Sequence, residues 1–187
     1  MPVTPLDPKT ALIVIDLQKG VPAVALESFG AIVERTVELA RAFRQRGLPV
    51  VLVNVTGAAP GRTDAGPFTL PTSPDWADLV PELEQQPSDL TITKQRVGAF
   101  LGTSLDSDLR ERGVTQIVLT GVATGRGVEA TARSAHDLGY NITFAVDAMT
   151  DRDPDTHRYW VERIFPSIGE TGTTGDIIAL LNCEARA

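Results

Sequence analysis

The sequence predicts an open α/β fold on a parallel sheet, and three observations carry that prediction. Short apolar runs rich in β-branched residues alternate with amphipathic stretches of helical period along the chain. The runs are continuously apolar, as in strands covered on both faces. The first two are joined by a single helix, which fits a right-handed parallel crossover.

The elements follow in order. Residues 11–16 (ALIVID) form a buried strand that ends in an acid, Asp16. Residues 28–46 set Ile32, Val33, Val37, Leu39, Ala40 and Phe43 among charges and stop at Gly47, the pattern of an amphipathic helix with a glycine terminus. Residues 49–55 (PVVLVNV) are the second strand. Residues 56–74 hold Gly57, Pro60, Gly61, Gly66, Pro67, Pro71 and Pro74, and a loop of that length in a compact domain is functional or mobile. Then come a strand at 90–94 (LTITK), a helix over about 104–112, a strand at 116–120 (QIVLT) and a helix over about 127–138. A strand at 141–146, a helix at 154–165, a short segment near 167–170 and a final helix from Asp176 complete the chain. Repeats and low-complexity tracts are absent, so residues 1–187 are read as one domain.

Composition narrows the function. The 24 acids against 17 bases give a net charge of −7, which repels a nucleic-acid phosphate backbone. One cysteine, Cys183, makes no internal disulfide, and with two histidines it supplies no Cys/His zinc cage. No run reaches the roughly 20 apolar residues of a membrane span, and residues 1–9 carry three prolines and no signal-peptide core. A soluble, cytoplasmic protein without membrane or nucleic-acid partners is expected.

In open parallel sheets ligands bind beyond the carboxyl ends of the strands. Asp16, Lys94 and the turn at 121–127 all arrive at that edge. Burial raises the pKa of such an acid and a nearby ammonium lowers it, so the pair fits acid/base work. Equally, Asp16 caps a turn and Lys94 is its structural partner. The glycines of the turn fit anion binding at a helix N-terminus, or simply a tight connection; they lack the spacing of a dinucleotide fingerprint. Arg126 reads as a substrate-carboxylate ligand or as an exposed loop arginine. His136 and His157 read as structural or surface residues, and Trp160 and Phe165 as packing. No Gly-x-Ser-x-Gly elbow is present.

Four blocks resemble the isochorismatase-like hydrolases: ALIVIDLQKG with Asp16, ITKQRVGAFLGTSLDSDLRERGV with Lys94, GVATGRGVEATARSAHDLGY, and FAVDAMTD. The resemblance implies a three-layer α/β/α fold with a parallel six-stranded sheet, dimers or larger homo-oligomers, and a cis peptide at Val122–Ala123. It carries Asp16 and Lys94 over as catalytic residues. The family's nucleophilic cysteine would stand at the start of the helix, where this sequence has Gly127, and Cys183 lies far from that position.

That departure frames the expected function. True isochorismatases cleave a vinyl ether by proton delivery to carbon and addition of water, without a covalent enzyme intermediate, and carry a glycine there. Asp16 is then the general acid or base, Lys94 its partner, and the turn with Val122, Ala123 and Gly127 the donor site and pocket floor. Those enzymes also carry a tyrosine and a histidine in the turn and a glutamine aligned with Val55, all missing here. This leaves Arg62 and Arg126 as carboxylate ligands, with Gln18 and Phe100 as further substrate contacts. The segment 56–93 lacks the histidines of the metal-binding nicotinamidases, so no metal or cofactor is expected. The leading expectation is a cysteine-independent hydrolase of a small anionic metabolite. Two alternatives stand beside it: amide hydrolysis by a water that Asp16 activates where the thiol would be, and a catalytically degenerate binding protein.

Overall fold

The computed structural model describes residues 3–21, 28–64, 66 and 71–183. Among them, β1 (Thr10–Ile15), β2 (Val50–Val55), β3 (Leu90–Lys94), β4 (Gln116–Val122), β5 (Asn141–Thr150) and β6 (Glu170–Gly172) form one parallel sheet in the order β3-β2-β1-β4-β5-β6. The helices are α1 (Phe29–Gln45), α2 (Leu105–Glu111), α3 (Glu129–Asp137), α4 (Pro154–Tyr159) and α5 (Thr174–Cys183). Strand side chains alternate between faces, so β1 sends Leu12 and Val14 towards α1 and α5, and Ile13 and Ile15 towards α2 and α3. All six residues of β1 are buried, which is why its sequence is continuously apolar. Each aliphatic chain buried this way contributes about 2 kcal/mol. The three-layer α/β/α architecture and the six-stranded parallel sheet are as expected.

The end of the chain departs from the reading at three places. β5 continues past Val146 to Thr150, because the charge that ended the apolar run, Asp147, accepts hydrogen bonds from Thr174 N (2.7 Å) and Oγ1 (2.9 Å) while Ala148 and Met149 stay buried. α5 starts at Thr174, two residues early, where Thr173 and Asp176 cap each other reciprocally: Thr173 N donates to Asp176 Oδ2 (3.0 Å) and Asp176 N to Thr173 Oγ1 (3.2 Å). The continuous helix read over 154–165 is instead α4, a π-helical turn at Trp160–Ile164 and a 3₁₀ turn at Phe165–Ser167. The wider turn brings Trp160 and Phe165, five residues apart, within 6.2 Å of each other on the sheet side, and Pro166 stops further α-helix.

The helix read from Gly127 is likewise split, into a π-helical turn at Thr124–Val128 and α3 from Glu129. Described residues of 56–74 carry no helix or strand, and 65 and 67–70 of that loop lie outside the described residues. Among the described residues no helix is long and apolar enough to cross a membrane.

Candidate active site

Sheet order brings the chemistry together. The direction of winding reverses between β1 and β4, which opens a crevice at their carboxyl ends. Asp16 follows β1 there with a left-handed backbone, φ 52°, a conformation that aspartate tolerates better than bulky residues. Its N–H is held by Val53 O at 2.9 Å. Lys94 ends β3 two strands away, and only its long stem lets the ammonium reach back. Lys94 Nζ donates to Asp16 Oδ2 at 2.8 Å, to Val97 O at 2.9 Å and to Arg96 O at 3.3 Å, so its three protons are engaged. Lys94 is 2% exposed and Asp16 8%.

Asp16 is not satisfied in the same way. Its Oδ1 is buried with no hydrogen-bond partner among the described residues. Burial pushes the carboxyl up from 3.8 to about 6, although the Lys94 ammonium and its hydrogen bond pull the other way. An acid in this state exchanges its proton near neutrality.

The turn after β4 forms the adjoining wall. Gly121 has φ 107° and lies so close to β1 that a Cβ there would be 2.0 Å from Ile15 O, so only glycine is accommodated. The Val122–Ala123 peptide is cis, as the resemblance implies. A Cβ built on Gly127 would lie 3.2 Å from Asp16 Oδ2, 3.1 Å from Val122 O and 2.9 Å from Ile15 Cγ2. A side chain at 127 therefore enters directly against the carboxyl. Cys183, exposed at the end of α5, has no part in this cluster.

The outer side of the turn is gripped by residues after β5. Asp151 Oδ2 accepts from Gly125 N at 2.7 Å, and Thr124 Oγ1 and His157 Nδ1 are hydrogen-bonded at 2.8 Å. The Trp160 indole lies against Gly125, where a Cβ would be 2.2 Å from Nε1. Sequence reasoning missed Asp151 and Thr124 and gave His157 only a structural or surface role. The signal was the end of β5: with the strand stopped at Val146, Asp151 falls out of view of the carboxyl edge.

Two residues expected to contact substrate have their side chains buried in the fold. Gln18 is fully buried and its amide is committed to backbone: Nε2 donates to Val55 O and Trp76 O, each at 3.1 Å, and Oε1 accepts from Val55 N at 2.8 Å. It ties the end of β1 to β2 and to the segment of Trp76. Phe100 is buried in the core with its ring 5.8 Å from that of Tyr140. Arg62 is exposed in the loop after β2 and Arg126 is exposed in the turn beside Gly127. Tyr159 is exposed and His136 lies at the surface. Among the described residues, no group of three or more His, Cys, Asp or Glu is gathered to hold a metal ion.

Comparison with known proteins bears on the same blocks. The model of the isochorismatase domain matches residues 10–176. An uncharacterised isochorismatase family protein of Bacillus subtilis strain 168 is 41% identical over 179 residues, covering 91% of this chain and 93% of the relative. The solved structure of an isochorismatase family protein from Burkholderia thailandensis superimposes with a TM-score of 0.91 at 41% identity, covering 97% of this chain and 98% of that one. A ureidoacrylate amidohydrolase of Pseudomonas savastanoi pv. phaseolicola is 29% identical over 182 residues, covering 79% of this chain and 73% of the relative.

Proposed function

This chain belongs to the isochorismatase family of hydrolases, and we propose that it hydrolyses a small anionic metabolite of the vinyl-ether class without a covalent enzyme intermediate. The observation that carries this reading is Asp16 Oδ1, buried, unpaired and on a carboxyl held at about 6, beside a turn with glycine at 127. Lys94 occupies Oδ2, so the proton of the neutral acid resides on Oδ1. That proton is delivered to the vinyl carbon, giving an oxocarbenium ion. Water adds to the cationic carbon and loses a proton, and the hemiketal collapses to a carbonyl compound and an alcohol. Asp16 regains its proton from the water. The exposed Arg62 and Arg126 are the candidate carboxylate ligands.

One observation favours a second reading, the likeness to a ureidoacrylate amidohydrolase. In it, ionised Asp16 draws a proton from water that attacks an amide carbonyl. The two readings need opposite protonation states of one carboxyl, so the pH profile separates them. General-acid cleavage predicts that kcat/KM falls as pH rises through about 6; general-base cleavage predicts that it rises over the same range. The experiment is a screen of vinyl ethers, amides and esters with a pH profile of each hit. A falling profile supports the first reading and a rising one the second. No turnover across the screen, with tight binding of a metabolite, overturns both in favour of a binding role.

A further inference from the structure

We propose that Asp151, His157 and Trp160 form a bracket that presses the Thr124–Val128 turn over the Asp16–Lys94 pair, and that His157, through Thr124, is a positioning residue for the reaction. The inference rests on the hydrolytic reading for its purpose but on contacts outside the reacting groups for its content. The bracket comes from a different part of the chain than the turn it holds. Asp151 fixes the Gly125 N–H, His157 fixes the Thr124 hydroxyl, and the indole of Trp160 covers Gly125. Thr124 is fully buried, so its hydroxyl depends on a protein partner. From the inside the turn is fastened by Thr131, whose hydroxyl donates to Gly127 O at 2.6 Å, and by Arg126 N and Val128 N, which donate to Ala123 O.

The turn in turn keeps water from the carboxyl. A Cβ added at Gly127 would stand 3.2 Å from Asp16 Oδ2, so the backbone of the buried Gly127 runs one side-chain carbon away from the acid and any outward movement of the turn widens that gap. Lys94, from β3, is the charged side chain in contact with that acid, and Arg126 of the turn is exposed. The desolvation that raises Asp16 is therefore maintained by a wall whose outer fastening is His157 and Asp151. Loosening the fastening lets water reach Asp16, and its proton affinity drops towards that of an ordinary aspartate. Burial holds the His157 imidazolium below its usual range, against the pull of Asp151, so at neutral pH the ring is uncharged.

The test compares His157→Leu, His157→Asn and Thr124→Val by carbon-13 NMR titration of the Asp16 carboxyl and by hydrogen exchange at the amides of 124–128. Asparagine keeps a hydrogen-bonding atom near the position of Nδ1; leucine does not. Expected are a fall of the Asp16 midpoint by roughly one pH unit in the leucine and valine variants, exchange of the turn at least about tenfold faster, and near wild-type values in the asparagine variant. An unchanged Asp16 midpoint in a folded leucine or valine variant overturns the proposal. So does an asparagine variant that behaves like leucine. If leucine fails to fold, the isosteric Thr124→Val change reads the same hydrogen bond from its other end. Neither readout uses a substrate, so a failed substrate screen would overturn the hydrolytic reading while leaving these outcomes to decide the bracket.

Discussion

Among the described residues, two buried acid–base pairs are of opposite character. At the amino edge of the sheet Asp89, its side chain 1% exposed, takes Arg44 in a fork, with Nε at 3.1 Å from Oδ1 and Nη2 at 2.7 Å from Oδ2, and accepts Gln86 N on Oδ2 at 2.8 Å. At the carboxyl edge Asp16 takes Lys94 on one oxygen and leaves the other unpaired. A buried carboxylate with both oxygens engaged is held in one place. One with an open oxygen in a dry site has a proton to exchange. The difference separates a pair whose carboxylate is fully engaged from the one to which the proposed function gives the chemistry.

The largest effect that tests the contrast is loss of activity at Asp16. Asp16→Asn removes the exchangeable proton and is expected to lower kcat/KM about a thousandfold on whichever substrate the screen identifies, with the circular-dichroism spectrum retained. Activity near wild type would erase the functional half of the comparison. Next comes stability at the other pair. Asp89→Ala leaves the Arg44 guanidinium, only 14% exposed, without its partner, and urea unfolding should show a loss of about 3 kcal/mol with kcat of the folded protein unchanged. A stability loss below 1 kcal/mol would mean that the fork is dispensable.

A smaller effect follows from the raised carboxyl of Asp16. Its pKa is higher folded, about 6, than unfolded, 3.8, so folding takes up a proton between these values. The stabilisation is full below 3.8 and is lost as pH rises through 6. Between pH 4.5 and pH 7 it amounts to about 2 kcal/mol. Other carboxylates titrate as well, so the measured quantity is the difference in pH slope between wild type and Asp16→Asn, with wild type losing more on going to pH 7. Equal slopes would show that Asp16 is not desolvated. Smallest of all, Cys183→Ser should leave rate and stability unchanged within about 0.5 kcal/mol, since the side chain is exposed and remote from the crevice. Loss of turnover in that variant would overturn the cysteine-independent mechanism.

Much of the fold was legible because the signals were local. ALIVID, PVVLVNV and QIVLT read as strands since burial on both faces demands unbroken apolar runs, and β1, β2 and β4 lie where those runs fall. β5 was cut short because its charge, Asp147, is hydrogen-bonded by Thr174, 27 residues away, and paired with Arg35 of α1, partners that no local pattern announces. For the site, Asp16 and Lys94 were nameable from their places at strand ends. Gln18 was named as a further substrate contact, and its amide is spent on the backbone of Val55 and Trp76.

By itself, then, the sequence determined a parallel α/β sheet, the strand ends on which chemistry stands, and a glycine at 127 with its one cysteine elsewhere. These follow from apolar period, charge placement and residue identity, which are properties of short segments. Tertiary structure alone decided which oxygen of Asp16 is paired, which side chains are already committed, and which residues hold the turn in place. Those outcomes depend on hydrogen-bond partners brought together from distant parts of the chain, and a buried polar atom takes its character from whether such a partner arrives.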